Sequence, residues 1–287
     1  MFNEKKVKEI VLSILVADSY SLGAHWIYDE KTLQTMTINW EELNAAQAIW
    51  HKGKVAGEFT HYGDQTLWLY QFLQDKTSFD PKEFVDFWKM KMDIYDGYMD
   101  SATKTTLENI EKGISPTGSE STDLSIIGRI APLLLVSNSK KDFLKNVEKM
   151  ISVTHNSYEA ISTGKFFASL LLEVLDGKGI EESLLFLKES FDIKIQSYIL
   201  DGMSSKDRDS FEAIRGFGPA CDISGGFEGV VHLLCKYDNL KEMLICNAKA
   251  GGDSSARAMV ATTIYMAQEN KTLSQIPQSW LNIKATV

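Results

Sequence analysis

Cysteine is scarce in this chain and is not arranged to bind zinc. Cys221, Cys235 and Cys246 are the only three in 287 residues, at spacings that match no zinc-ligand pattern. An odd, sparse set of thiols argues against a disulfide framework and for reduced cysteine in a cytoplasmic setting. A basic face is missing too. The 30 Lys and Arg against 39 Asp and Glu leave a net charge of -9, which argues against nucleic-acid backbone binding and predicts weak repulsion from anionic membranes. No segment stays apolar for the roughly 20 residues a membrane span requires. Alternating strand patterns are rare, no internal repeat is visible, and no low-complexity linker divides the chain. Serine-hydrolase elbow, P-loop, dinucleotide fingerprint and HExxH are all absent.

What is present is helical periodicity over an apolar content of 44%, enough for a large core. Val7, Ile10, Val11, Ile14 and Leu15 form one stripe that continues to Leu22. Lys5, Lys6 and Lys8 before Ile10 to Ala17 have the outline of a signal peptide. Ser13 interrupts the run and Asp18 ends it, so a first buried helix is expected instead. Gln65 to Phe72 reads as a buried helix. Asp80-Pro81 is a strong helix start, with Phe84, Phe87, Trp88 and Met92 on one face behind it. Further helices are expected at 100–112, 121–136, 140–151, 157–175, 180–190, 207–215, 227–236, 239–249 and 254–268, with Pro132 bending its own. Gly113–Ser121 and Gly216–Gly226 read as loops. The expectation is one all-α domain over residues 1–287, with ten or more helices.

Two short tracts carry most of the chemistry: Gly63-Asp64-Gln65-Thr66 and Gly251-Gly252-Asp253-Ser254-Ser255-Ala256. Each sets a carboxylate and hydroxyls after glycine at the mouth of a helix, so the fold could join them into an oxygen-lined pocket for a hard cation. The plain reading of Asp64 is a helix cap worth about 1 kcal/mol. Asp253 can cap its own helix and pair with Arg257 one turn on. The glycine pair asks for more, because close backbone approach to a ligand or to another segment needs it and a cap does not. Asp18 and His25, seven residues apart, fall on one helix face. Asp18 there needs either a solvated cleft or a neighbouring helix to bond. Trp26 and Tyr28 beside them suit either core packing or a wall for a base or sugar. His155, before a helix, reads as a cap, a core hydrogen-bonder or a substrate contact. Ser224-Gly225-Gly226 could seat an anionic group such as a phosphate on its N–H groups.

The order of these pieces resembles the ADP-ribosylglycohydrolase superfamily over nearly the full length. The family's Gly-Asp-x-x-Gly helix is similar to Ala17-Asp18-Ser19-Tyr20-Ser21. Its Thr-Asp-Asp-Thr motif is similar to Gly63-Asp64-Gln65-Thr66, and its Arg-x-Ala-Pro to Arg129-Ile130-Ala131-Pro132. Its Gly-Gly-Asp-Thr-Asp-Thr is similar to Gly251-Gly252-Asp253-Ser254-Ser255-Ala256. Ala24-His25-Trp26-Ile27-Tyr28-Asp29 resembles the branch that contains the jellyfish J-type crystallins. The resemblance implies an all-α fold with magnesium, often paired, in a central cleft, and cleavage of ADP-ribosyl bonds on small molecules or proteins. It also implies roles for single residues. Asp64, Thr66 and Asp253 would hold metal, with Ser254 and Ser255 as neutral oxygens nearby. Read from the residues themselves, His25 and Asp64 are the candidate catalytic groups, and His155, Ser224, Gly225, Gly226, Gly251 and Gly252 the candidate substrate contacts. The departures are Gly63, Gln65, Ser255, Ala256 and His25, each replacing an expected oxygen ligand. That leaves charge for one magnesium and too little for two. A binding protein without turnover and a crystallin-like structural protein are the alternatives.

Overall fold

The computed structural model describes residues 2–287, and helices account for its regular structure. In chain order they are α1 (Glu4–Ser21), α2 (Glu30–Thr35), α3 (His61–Leu73), α4 (Pro81–Met92), α5 (Ser101–Glu111), α6 (Lys140–Thr154) and α7 (Tyr158–Leu175). Then come α8 (Ile180–Lys188), α9 (Ile193–Ser204), α10 (Ser210–Phe217), α11 (Ile223–Lys236), α12 (Leu240–Lys249) and α13 (Ser254–Ala267). Only isolated β-bridges occur among the described residues. Among the described residues, no helix is long and apolar enough to cross a membrane.

The centre is α13. All fourteen of its residues are buried, as expected of a helix lined by Ala, Met, Val and Ile on every side. It lies along α1 and also packs against α7, α11, α12 and the 3₁₀ segment Leu124–Arg129. From Ser13 to Ser21, α1 is buried all round as well. Polar residues this deep must find partners inside the protein, and that requirement builds the site.

Most of the expected helices are present with boundaries shifted by a few residues. Asp80 caps α4 through Lys82 N (2.8 Å), with Pro81 in the first turn. The expected 121–136 helix is instead two 3₁₀ segments, Leu124–Arg129 and Ala131–Val136. Pro132 lacks the N–H needed to carry α-helical bonding across the junction, and the Ile130 N–H bonds Ile127 O, one residue short of an α-helical step. α9 was not anticipated, although Ile195, Tyr198, Ile199 and Gly202 bury one face at helical spacing. Short, mostly exposed α2 offered little signal. α11 begins at Ile223 with non-helical backbone at Ser224 and Gly225, so the expected loop through Gly226 survives as a kink.

Candidate functional site

Two helix starts, those of α3 and α13, meet beside the buried half of α1. Asp18, on α1 and fully buried, accepts the Thr60 N–H (2.8 Å), the Thr60 hydroxyl (2.6 Å) and the Ser255 hydroxyl. It therefore holds the start of α3 against the start of α13, the second of the two expectations for this residue. Burial, partly offset by those bonds, raises its carboxyl to about 6. A Cβ on Gly63 would overlap this carboxylate, so the threonine the family places there has no room.

Asp64 is not a helix cap. Thr60 caps α3 through Tyr62 N (3.1 Å). Asp64 Oδ2 instead accepts from Lys54 Nζ (2.7 Å) and from the Tyr95 hydroxyl (2.7 Å). Burial raises the Asp64 pKa, against the pull of Lys54. Gln65 Oε1 is taken by Trp88 Nε1 (2.9 Å) and Arg129 Nη1 (2.8 Å). The Thr66 hydroxyl donates to Tyr62 O one turn back (2.8 Å).

Asp253 caps α13 through Ala256 N (3.0 Å). Its Oδ2 accepts from the Tyr62 hydroxyl (2.9 Å), which also lies 3.4 Å from Asp123 Oδ2. Arg257 does not pair with Asp253. It reaches Asn247 Oδ1 (2.9 Å) and Gly251 O (2.6 Å) and so holds the glycine turn. Ser254 Oγ is buried without a partner. Gly251 and Gly252 both have positive φ, 67° and 60°. A Cβ on either would strike backbone, Ile27 O in one case and Pro219 O in the other. Gly252 exchanges bonds with Trp26 and Ile27, Trp26 N to Gly252 O at 2.7 Å and Gly252 N to Ile27 O at 2.8 Å. The glycine pair thus serves close approach to other segments of the chain.

The other residues singled out in the sequence fall in separate places. Gly225 N donates to Glu228 Oε2 (2.9 Å), so a carboxylate of the protein already sits on that cradle; Gly226 is buried and Ser224 exposed. His155 ends α6, buried, with Nδ1 2.9 Å from Thr154 Oγ1 and Nε2 unpartnered; burial, then the charge of Arg129, lowers its pKa to about 3. His25 Nδ1 lies 3.5 Å from Asp253 Oδ1 and accepts the Ser255 N–H at 3.4 Å. Burial, with His51 and His61 next, lowers its pKa well below the usual histidine value.

His25 belongs to a cluster of rings that the sequence did not reveal. Trp26 lies 4.8 Å from His25, 5.2 Å from His51, 5.3 Å from His61 and 5.1 Å from Tyr98, centroid to centroid. His51 Nε2 is 3.2 Å from His61 Nδ1, and His61 Nε2 is 3.3 Å from Asp100 Oδ2, though off the hydrogen-bond line. Burial opposes ionisation of Asp100, but His61 and the Thr103 N–H hold its carboxyl below the usual range. His25 Nε2, Trp26 Nε1 and His51 Nδ1 are buried polar atoms without a partner, while His61 Nε2 faces the Asp100 carboxylate. Trp26 has φ 62°, the one non-glycine residue with positive φ among those described, a strain of about 1–3 kcal/mol that its surroundings must hold in place. At the edge, Trp50 is 50% exposed and Tyr98 partly so.

The two carboxylates expected to share a magnesium therefore stand in different networks. The one group of three His, Cys, Asp or Glu ligand atoms close enough to hold an ion, among the described residues, is Asp123, Cys221 and Asp253, within 4.8 Å of one another. Asp64 is not part of it. A set with a thiol suits a softer ion than magnesium. Burial, then the charge of Asp253, raises the Asp123 carboxyl to about 7. Asp123 and Cys221 also line a 500 Å³ cleft with Ser101, Thr105, Ser121 and Asp222. A larger 690 Å³ groove, between α4, α6 and the loop after α5, contains none of these groups.

An all-helical domain whose helix starts bring carboxylates to a buried polar centre defines a class of protein, and the comparisons place this chain within it. The ADP-ribosylglycohydrolase family pattern matches residues 3–283, and the chain belongs to that family. Crystallin J1A and crystallin J1B of the jellyfish Tripedalia cystophora are each 22% identical to it, over 96% of this chain and 91% of theirs. A solved structure described as an ADP-ribosylglycohydrolase-related protein complex has the same fold, with a TM-score of 0.73 at 19% identity over 96% of this chain and 90% of that one.

Proposed function

We propose that this chain binds an ADP-ribosyl or related ribosyl compound on the Trp26–Trp50–Tyr98 wall and does not cleave it by magnesium-dependent hydrolysis. The observation that carries the reading is the set of three buried, unpartnered ring nitrogens on His25, Trp26 and His51. Buried polar atoms almost always have partners, and a sugar or base with hydroxyl and ring-nitrogen groups supplies donors and acceptors to match. Two partly exposed aromatic faces beside them suit a base or sugar ring. The case against magnesium at Asp64, Thr66 and Asp253 is that Asp64 and Asp253 answer to different donors, and Thr66 and Ser255 are engaged within the protein. A divalent ion would find its better site at Asp123, Cys221 and Asp253.

Calorimetry with ADP-ribose is expected to give micromolar binding, with no ribosyl product released from ADP-ribosylated protein with or without magnesium. Trp50→Ala is expected to weaken binding about tenfold, about 1.4 kcal/mol. Turnover that requires magnesium would refute the reading. A second reading, a crystallin-like structural role, is favoured by the density of internal bonds on Asp18, Asp64 and Asp253 and by the crystallin relatives. It predicts no ADP-ribose binding at all.

A further inference from the structure

We infer that the Lys54 ammonium is a built-in cation that takes the place of a divalent ion at Asp64. The inference rests on the reading that the family's metal centre does not fit these residues. Lys54 Nζ lies 2.7 Å from Asp64 Oδ2, and the same oxygen accepts from the Tyr95 hydroxyl. The lysine is delivered by a tight turn in which Lys54 N bonds His51 O (3.0 Å), Gly53 takes φ 96° and Lys54 O receives Ala46 N (3.1 Å). Its Nζ lies over Tyr95, 5.9 Å from the ring centroid. The lysine and aspartate side chains are 21% and 16% exposed, far drier than an ordinary surface pair.

The sequence around the pair agrees with a tethered cation. A divalent ion needs several anionic or neutral oxygens, usually with more than one carboxylate. At this position the neighbouring glutamine is spent on Trp88 and Arg129, and Thr66 donates along its own helix. One carboxylate, one phenol and one ammonium instead make a neutral set joined at Asp64 Oδ2. A single positive charge suits the one carboxylate that remains. The chain thus keeps a positive charge against Asp64 while removing its dependence on free metal.

The test is a Mn²⁺ titration of the full chain, followed by calorimetry and by paramagnetic broadening, and needs no ribosyl ligand. In the wild type, Asp64→Asn is expected to leave Mn²⁺ binding unchanged. Lys54→Met is expected to gain a saturable site, or to tighten Mn²⁺ binding at least tenfold, and the double variant Lys54→Met/Asp64→Asn to lose that gain. Lys54→Arg should behave as the wild type. If Lys54→Met melts too low to titrate, Mn²⁺ should raise its melting temperature where potassium does not. Wild-type Mn²⁺ binding that disappears in Asp64→Asn would overturn the inference, as would a Lys54→Met protein that neither binds nor is rescued by Mn²⁺. The ADP-ribose calorimetry proposed above is independent, so either reading can fail alone.

Discussion

Asp18→Ala is expected to lower the stability of the fold by about 3 kcal/mol at pH 7, seen as a lower urea midpoint at unchanged slope. The substitution leaves the Thr60 N–H, the Thr60 hydroxyl and the Ser255 hydroxyl without their acceptor in the middle of the protein. Each orphaned donor costs about 1–3 kcal/mol. Against that total stands the relief of removing a buried charge, because burial raises the Asp18 carboxyl to about 6. The pH dependence follows from the same shift. The folded state binds this proton more tightly than the unfolded chain, whose value is near 3.8, so the wild type gains stability as pH falls from about 6 toward 4. Alanine has no such gain, and the difference between the two proteins should widen over that window. Asp18→Asn keeps an acceptor and should fall between them. A loss under about 1 kcal/mol would mean that the three donors find other partners.

Much of the architecture was legible because helical signals are local. The α1 stripe, the Asp80-Pro81 start and the apolar run of α13 need only their own neighbours to declare themselves. The centre was legible in part. Asp64 and Asp253 could be picked out as carboxylates after glycine at helix mouths, and Asp18 and His25 as polar residues in an apolar stretch, but their partners could not. Lys54 stands in His51-Lys52-Gly53-Lys54, which looks like an ordinary solvated turn; nothing local says that one ammonium of two turns inward. Asp123 was absorbed into a helix expected from 121, where it would have been one more polar residue. In fact it caps a 3₁₀ segment through Ser125 N (2.8 Å) and faces Asp253 from 130 residues away. The ring cluster had a faint signal, since His51 and His61 precede the first motif and Trp26 follows His25. Only the fold shows that all four rings touch. The glycine pair was read for the right property, close approach, and the partner turned out to be the Ile27 and Pro219 backbone.

Asp123→Asn is expected to stabilise the protein, by about 2–4 kcal/mol above pH 7 and by nothing near pH 4. Asp123 and Asp253 face one another across the Tyr62 hydroxyl, with Cys221 beside them and Asp100 adding further negative charge. Arg129 is the nearby cation. Burial and then the charge of Asp253 lift the Asp123 carboxyl to about 7 from 3.8. Below pH 4 this group is protonated in both folded and unfolded chains and contributes nothing to the difference. As pH rises from 4 to 7 the unfolded chain releases the proton freely while the folded protein retains it, so the wild type loses stability at about 1.4 kcal/mol per pH unit. Above 7 the loss is complete and constant. Asparagine removes that slope but still offers an oxygen to Ser125 N, the capping bond the side chain now makes. Urea unfolding of both proteins from pH 4 to 8 checks the sign directly. Curves that stay parallel across the range would mean that burial and the charge of Asp253 do not raise the Asp123 carboxyl in the folded state.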